Sequence, residues 1–446
     1  MKNSKPITKT DLENFDKVYR ADPVRVAMTN ALSKVNIDEM CYDAQAARGM
    51  VFKFSNEIKT MSATNQRGSG RCWLFAATNL LREKIAKTLN IDSFELSQSY
   101  LAFYDKFERC NYYIESIIDT ASLPVGDRVV DCIVETGISD GGQWDMFVNI
   151  IDKYGVCPKD AYPETFQSEN THNVNRMLNL CLRRNTPIIR NMISSGASKS
   201  ELEEKKKEIL SKCWSFLVSC YGEPPATFAF EYVDKDGKYH KDLGYTPITF
   251  RDKFVGDMLK DYVSIVNAPT ADKPFDRTYT VKYLGNIIGG KDIKHLNLTI
   301  EDFKKAVLAQ LLDGELVWFG SDCGKFSEGK KKIWDPDCFN YEFVTGLDTD
   351  LSKEDMLDYH VSQMNHAMVI SGVNINENGV PDRWKIENSW GTDGPYGGYH
   401  MASDKWFDLF VYQAVVDKKY LGDKAALLEK TPIELNPWDP MGSLAE

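Results

Sequence analysis

Residues 65–73 read Asn65-Gln66-Arg67-Gly68-Ser69-Gly70-Arg71-Cys72-Trp73, and the first strong helical pattern of the chain follows at once. Two glycines and a serine make a turn. From Arg71 to Leu89, Leu74, Phe75, Ala77, Thr78, Leu81 and Ile85 recur at three- and four-residue steps, the period of a helix. Ser69 is placed to cap that helix, which puts Cys72 in its first turn. There the positive end of the helix dipole lowers a thiol's pKa toward the thiolate, the form that attacks carbonyl carbon. One cysteine at a helix start is little ground for chemistry, so its partners must come from elsewhere.

Working outward, Ser97 to about Ile117 and Trp144 to Tyr154 also read as helices, the second stopped by Gly155 and Pro158. Ser198 to Trp214 is a charged helix with a narrow apolar edge, expected on a solvated insertion. From about residue 277 the period changes. Thr278–Tyr283, Leu316–Phe319, Ala367–Ile370 and Trp384–Ile386 read as strands. A helical front and a β-rich back make an α+β layout. The expected parts are a 1–60 extension, a 61–165 helical half with the Cys72 helix, a mainly helical 166–276 insertion, a 277–430 β-rich half and a 431–446 arm. A last helix is expected near Lys424–Lys430. In the arm, Pro432, Pro437 and Pro440 forbid a helix and favour extended chain. Trp438, Met441 and Leu444 give it reason to dock.

The 446 residues are 43% apolar and 27% charged, which excludes wholesale disorder. The net charge of −11 opposes phosphate backbones, so nucleic acid is not an expected partner. No run approaches the ~20 apolar residues of a membrane span. Met1-Lys2-Asn3-Ser4-Lys5-Pro6 carries no apolar signal core, and none of the ten cysteines forms a CxxC pair. Reduced thiols and a cytoplasmic location are expected. Gly285–Lys291 has the spacing of a phosphate-binding loop, but Asp292 stands where a magnesium-binding hydroxyl belongs. His360 and His366 lack the HExxH zinc spacing. No metal and no cofactor are expected.

A cysteine nucleophile needs a base, and the base needs a group that fixes its tautomer. His366, in Met364-Asn365-His366-Ala367-Met368, and Asn388, in Glu387-Asn388-Ser389-Trp390-Gly391, supply these in order. Gln66, six residues before Cys72 across the turn, can aim its amide at a forming oxyanion beside the Cys72 N–H. Trp390 is placed to roof the His366–Asn388 hydrogen bond against water.

Gln66, Cys72-Trp73, His366-Ala367 and Asn388-Ser389-Trp390-Gly391, in this order, resemble the papain-like cysteine peptidases. Asp140-Gly141-Gly142-Gln143-Trp144 is similar to that family's Gly-Gly stretch beside the substrate cleft, so Gly141 and Gly142 are implied to bind substrate. Tyr162-Pro163 is similar to its Tyr-Pro, and Leu96-Ser97-Gln98 is a looser match. Ser69 and Ser139 stand where secreted members carry a bridging cysteine pair. Asn365 stands where many carry Asp, and it too is implied to bind substrate. The long Cys72–His366 separation, the extension and the arm narrow the resemblance to the bleomycin hydrolase and aminopeptidase C branch. That branch implies a papain-like fold with large insertions and a homohexamer around an internal cavity. It also implies an arm in the cleft whose terminal carboxylate pairs with the α-ammonium of a peptide substrate. With Glu446 removed, Ala445 becomes that terminus. The expected activity is a broad-specificity cytosolic cysteine aminopeptidase acting through a thioester, with bleomycin-like amides as further substrates. An oligopeptide endopeptidase or an acyltransferase would share the same residues.

Overall fold

The computed structural model describes residues 5–445. Its centre is the helix Cys72–Leu89, ended by Asn90 in the left-handed conformation (φ 54°). Thirteen of its 18 residues are buried, because it is covered on both sides. The helices Gln98–Asp119 and Trp144–Tyr154 pack on one side, and the strand His366–Ile375 lies against the other. Ser97 caps the second helix, its hydroxyl accepting from the Tyr100 N–H at 3.0 Å. Trp144–Tyr154 has the bounds its periodicity predicts.

Twelve strands of the described residues form one mixed sheet. Its middle is a run of antiparallel neighbours: Val411–Asp417, Val317–Ser321, His366–Ile375 and Pro381–Glu387. Alternate side chains of these strands serve different cores, as the pleat requires. Trp318, Ala367, Val369 and Val415 join the core of the helical half. Val317, Phe319, Met368, Ile370 and Ala414 join a second core with Phe303, Val307, Trp406 and Phe407 from the helices Ile300–Leu312 and Asp404–Phe410. The sheet therefore presents the N-terminal end of its His366 strand to the helix that carries Cys72.

Three elements differ from their sequence expectation. The charged helix is longer, Lys199–Tyr221, with Ser198 and Glu201 forming a capping box. The stretch between 225 and 270 holds a hairpin, Phe228–Val233 with Tyr239–Tyr245, and the sheet strand Tyr262–Val266. The last helix is a run of tight turns over Lys418–Glu429, broken at Gly422 (φ 55°). No helix of the described residues is long and apolar enough to cross a membrane.

The arm is extended and docked. Ile433–Leu435 adds a parallel strand beside Arg277–Val281. Trp438 receives the Arg128 guanidinium 3.9 Å from its ring centroid. Met441 and Leu444 pack against the helical half.

Candidate active site

The turn before Cys72 is built by short-range hydrogen bonds. Arg67 takes a positive φ of 56°, and its N–H donates to Asn65 Oδ1 at 2.9 Å. Ser69 does not cap the helix as expected. Its hydroxyl donates to the Gln66 carbonyl at 2.6 Å and accepts from Arg71 Nε at 2.9 Å. Arg71 is the N-cap residue and no side chain caps that end. Cys72 is thus the first helical residue. The buried Arg71 guanidinium is held by Glu164 at 3.0 Å.

A buried carboxylate braces the turn from the helical half. Asp140 accepts from the Gly70 N–H at 2.9 Å, from Asn175 at 2.9 Å, from the Lys106 ammonium and from the Thr171 hydroxyl. Burial alone would raise this carboxyl's pKa. The Lys106 charge and the donated hydrogen bonds outweigh burial and hold it well below the usual carboxylate range. The Asp140 carbonyl accepts from Trp73 Nε1 at 2.7 Å. The Trp73 ring lies flat against Gly142, where an added Cβ would come within 2.4 Å of it. Neither Asp140 nor Lys106 was singled out in the sequence for this part, because nothing local announces a pair formed across 34 residues.

Opposite, the sheet delivers His366 as the first residue of its strand. The Ala367 N–H donates to Cys72 Sγ at 3.4 Å, a contact across 295 positions. His366 Nε2 meets Asn388 Oδ1 at 2.8 Å, and the same oxygen accepts from the Ser389 N–H at 2.7 Å. An oxygen already accepting from an amide faces the ring, so Nε2 is the donor. Trp390 stacks on His366, centroids 4.9 Å apart and planes at 28°, with its outer face open to solvent. It meets His400 edge-on at 5.7 Å. Burial first, then Lys332 and His366, push the His400 pKa down to about 3, so that ring stays neutral.

The Gln66 amide is fixed at both ends. Nε2 donates to the Ser69 carbonyl at 2.5 Å, and Oε1 accepts from the Ser389 hydroxyl at 2.6 Å. Ser389, to which sequence reading gave no role, therefore sets the direction of this amide. Asn365 lies beside His366, but its side chain is tied away into the neighbouring loop. It donates to Asp322 at 2.7 Å and accepts from the Cys323 N–H at 3.2 Å. The Gly141 carbonyl accepts from Arg109. The Gly142 N–H donates to the carbonyl of the buried Ala445 at 3.2 Å, and Gln143 Nε2 donates to the Ser443 carbonyl at 2.6 Å. Glu446 lies outside the described residues.

Among the described residues no two of the ten cysteines are joined in a disulfide. Burial pushes the Cys323 and Cys338 thiols up to about 12, away from ionisation. Cys72 differs from these in standing at a helix start beside the His366 strand.

Residues 6–442 match the model of the Peptidase C1-like family. The chain belongs to this family. Aminopeptidase C of Lactobacillus delbrueckii subsp. lactis is 44% identical over 446 residues, covering 99% of each chain. Bleomycin hydrolase of Mus musculus is 38% identical over 436 residues, covering 96% of each. The crystal structure of PepW from Lactobacillus rhamnosis superposes with a TM-score of 0.97 at 42% identity, covering all of both chains. The papain-like fold expected from the peptidase C1-like motifs is the fold observed, with its helical half and β-rich half meeting at Cys72 and His366.

Proposed function

We propose that this peptidase C1-like chain is a cysteine aminopeptidase that removes N-terminal residues from peptides. The observation that carries the reading is the convergence of Cys72, the His366–Asn388 hydrogen bond and the locked Gln66 amide at one end of the central helix. With Nε2 committed to Asn388, proton exchange with the sulfur falls to Nδ1. The thiolate attacks the first peptide carbonyl. The oxyanion takes hydrogen bonds from the Cys72 N–H and from the second Nε2 hydrogen of Gln66. His366 passes its proton to the leaving amine. Water, deprotonated by His366, then cleaves the thioester and restores the thiol.

The arm supports the exopeptidase reading. Its end runs antiparallel to Gly142 beside Trp73, the neighbour of Cys72. An arm in that groove blocks longer chains, and its carboxylate selects a free α-ammonium. Removal of Glu446 would leave Ala445 as that terminus. The relatives named Aminopeptidase C and bleomycin hydrolase support the substrate class, free peptides with bleomycin-like amides beside them. Assembly into a homohexamer fits the helix Lys9–Ala21, which buries no residue and exposes Leu12, Phe15 and Val18. The cytosolic location fits serines at 69 and 139 in place of a bridging cysteine pair.

The test compares hydrolysis of free and N-acetylated peptides, with and without a thiol alkylator. Alkylator-sensitive cleavage of free peptides alone is expected. Equal cleavage of both would overturn the aminopeptidase reading in favour of an endopeptidase.

A further inference from the structure

Beneath the site lies a buried ion pair that the chemistry above does not use. Glu387 ends the strand Pro381–Glu387, one residue before Asn388. Its Oε1 accepts from Asn79 Nδ2 and from Arg82 Nη2, each at 2.9 Å. Side-chain exposure is 3% for Arg82 and 1% for Glu387. Asn79 and Arg82 belong to the Cys72–Leu89 helix. Seven residues are close to two turns, so Asn79 lies on the same face as Cys72.

The same two donors reach a third segment. Asn79 Nδ2 also donates to Thr64 Oγ1 at 2.9 Å, and Arg82 Nη2 to the Ser62 carbonyl at 2.9 Å. The Thr64 carbonyl in turn accepts from the Gly391 N–H at 2.8 Å. One carboxylate thus joins the segments that carry Cys72, Gln66 and Asn388. Such a pair is poorly explained by stability, since replacing a buried ion pair with apolar residues is commonly neutral or stabilising. What a directional pair adds is a fixed distance between the segments.

We propose that Glu387 is a positioning residue which, held by Arg82 and Asn79, sets the His366–Asn388 pair against the Cys72 sulfur. The proposal rests on the peptidase reading above. The other ionisable groups around Glu387 are Glu83, Lys385 and Tyr399. Burial pushes the Glu387 carboxyl up to about 7 against the opposing Arg82 charge, so assays belong at pH 8, where the carboxylate is formed.

Glu387→Gln keeps the shape and an acceptor oxygen but removes the charge. We expect kcat/KM at pH 8 to fall about 10-fold or more, in kcat rather than KM, as for a small misplacement of reacting groups. Without substrate, the pH at which iodoacetamide alkylates Cys72 should rise. In an Asn388→Ala background the same change should cost less than about two-fold, because its route to His366 is already cut. Equal losses in both backgrounds, or a lowered Tm with kcat and the alkylation profile unmoved, would overturn the proposal. Should Glu387→Gln not fold, Asn79→Ser removes one arm of the strut. It must show a smaller kcat loss with the same non-additivity, and additivity there overturns the proposal too. Unaltered protein that lacks alkylator-sensitive turnover would instead strike the peptidase reading, while its alkylation profile still tests the strut.

Discussion

Two buried carboxylates brace the Cys72 helix from opposite sides, and they are held in opposite ways. On the helical side, Asp140 faces Lys106 and collects further hydrogen bonds from Thr171, Asn175 and the Gly70 N–H. It stays ionised well below the usual carboxylate range. On the sheet side, Glu387 faces Arg82 with fewer donors, and burial pushes it up to about 7. The difference teaches that ion pairing alone does not set the charge of a buried acid. At Asp140 the Lys106 charge together with the donated hydrogen bonds overcomes desolvation, whereas at Glu387 the Arg82 charge does not. It also separates two tasks, since Asp140 fixes the turn that presents the nucleophile, and Glu387 stands behind the residue that orients the base.

Removing the stronger brace should have the larger effect. Asp140→Asn leaves Lys106 buried without its counter-charge. It should lower unfolding stability by about 3–5 kcal/mol in denaturant titrations, the usual cost of breaking a buried pair. A loss under about 1 kcal/mol would put the two braces on equal footing.

Gln66→Ala should lower kcat about 10²-fold by deleting one oxyanion donor, and should also cost about 1–3 kcal/mol of stability because the Ser69 carbonyl and the Ser389 hydroxyl lose their buried partner. Steady-state kinetics on a free-amino peptide checks this. Gly142→Ala drives a Cβ into the Trp73 ring and should cost about 1–3 kcal/mol of stability by overpacking. It should also loosen the arm end bridged to Gly142, and a rise in cleavage of N-acetylated peptides reads that loosening.

The smallest effect, in pH, has opposite signs for the two acids. The Asp140 pKa is depressed on folding. Its contribution is therefore full above the ordinary carboxylate value of about 4 and is lost as pH falls through its folded value. The Glu387 pKa is raised. Its contribution is full below about 4 and is lost as pH rises through about 7. As pH rises, Glu387→Gln should therefore gain stability relative to the unaltered chain from about 4 through about 7, and Asp140→Asn should lose it over the range below about 4. Parallel stability curves for the two variants would contradict the contrast.

These braces also mark where the sequence stops being legible. The nucleophile turn, the helix Trp144–Tyr154 and the strands around His366 follow from local period and punctuation. Cys72, His366, Asn388 and Gln66 are recognisable because the chemistry requires those residue types in short strings. Glu387 stands inside one of those strings and still gave no sign of its role, because its partners lie 305 and 308 positions away. Ser69 misled for a local reason: its hydroxyl is taken by the Gln66 carbonyl and the Arg71 side chain rather than by the helix end. The strand Tyr262–Val266 is short and lies behind a charged insertion, so its membership of the sheet depends on Val411–Asp417, far along the chain.

The central claim is a sulfur ionised by an imidazole that folding brings to it. The direct measurement is the rate at which iodoacetamide labels Cys72 against pH, read by mass of the labelled peptide alongside loss of turnover. The account predicts labelling well below the pH of about 8.5 at which an ordinary thiol ionises, with turnover lost in step. Labelling only at that higher pH, or full labelling with turnover intact, would contradict it.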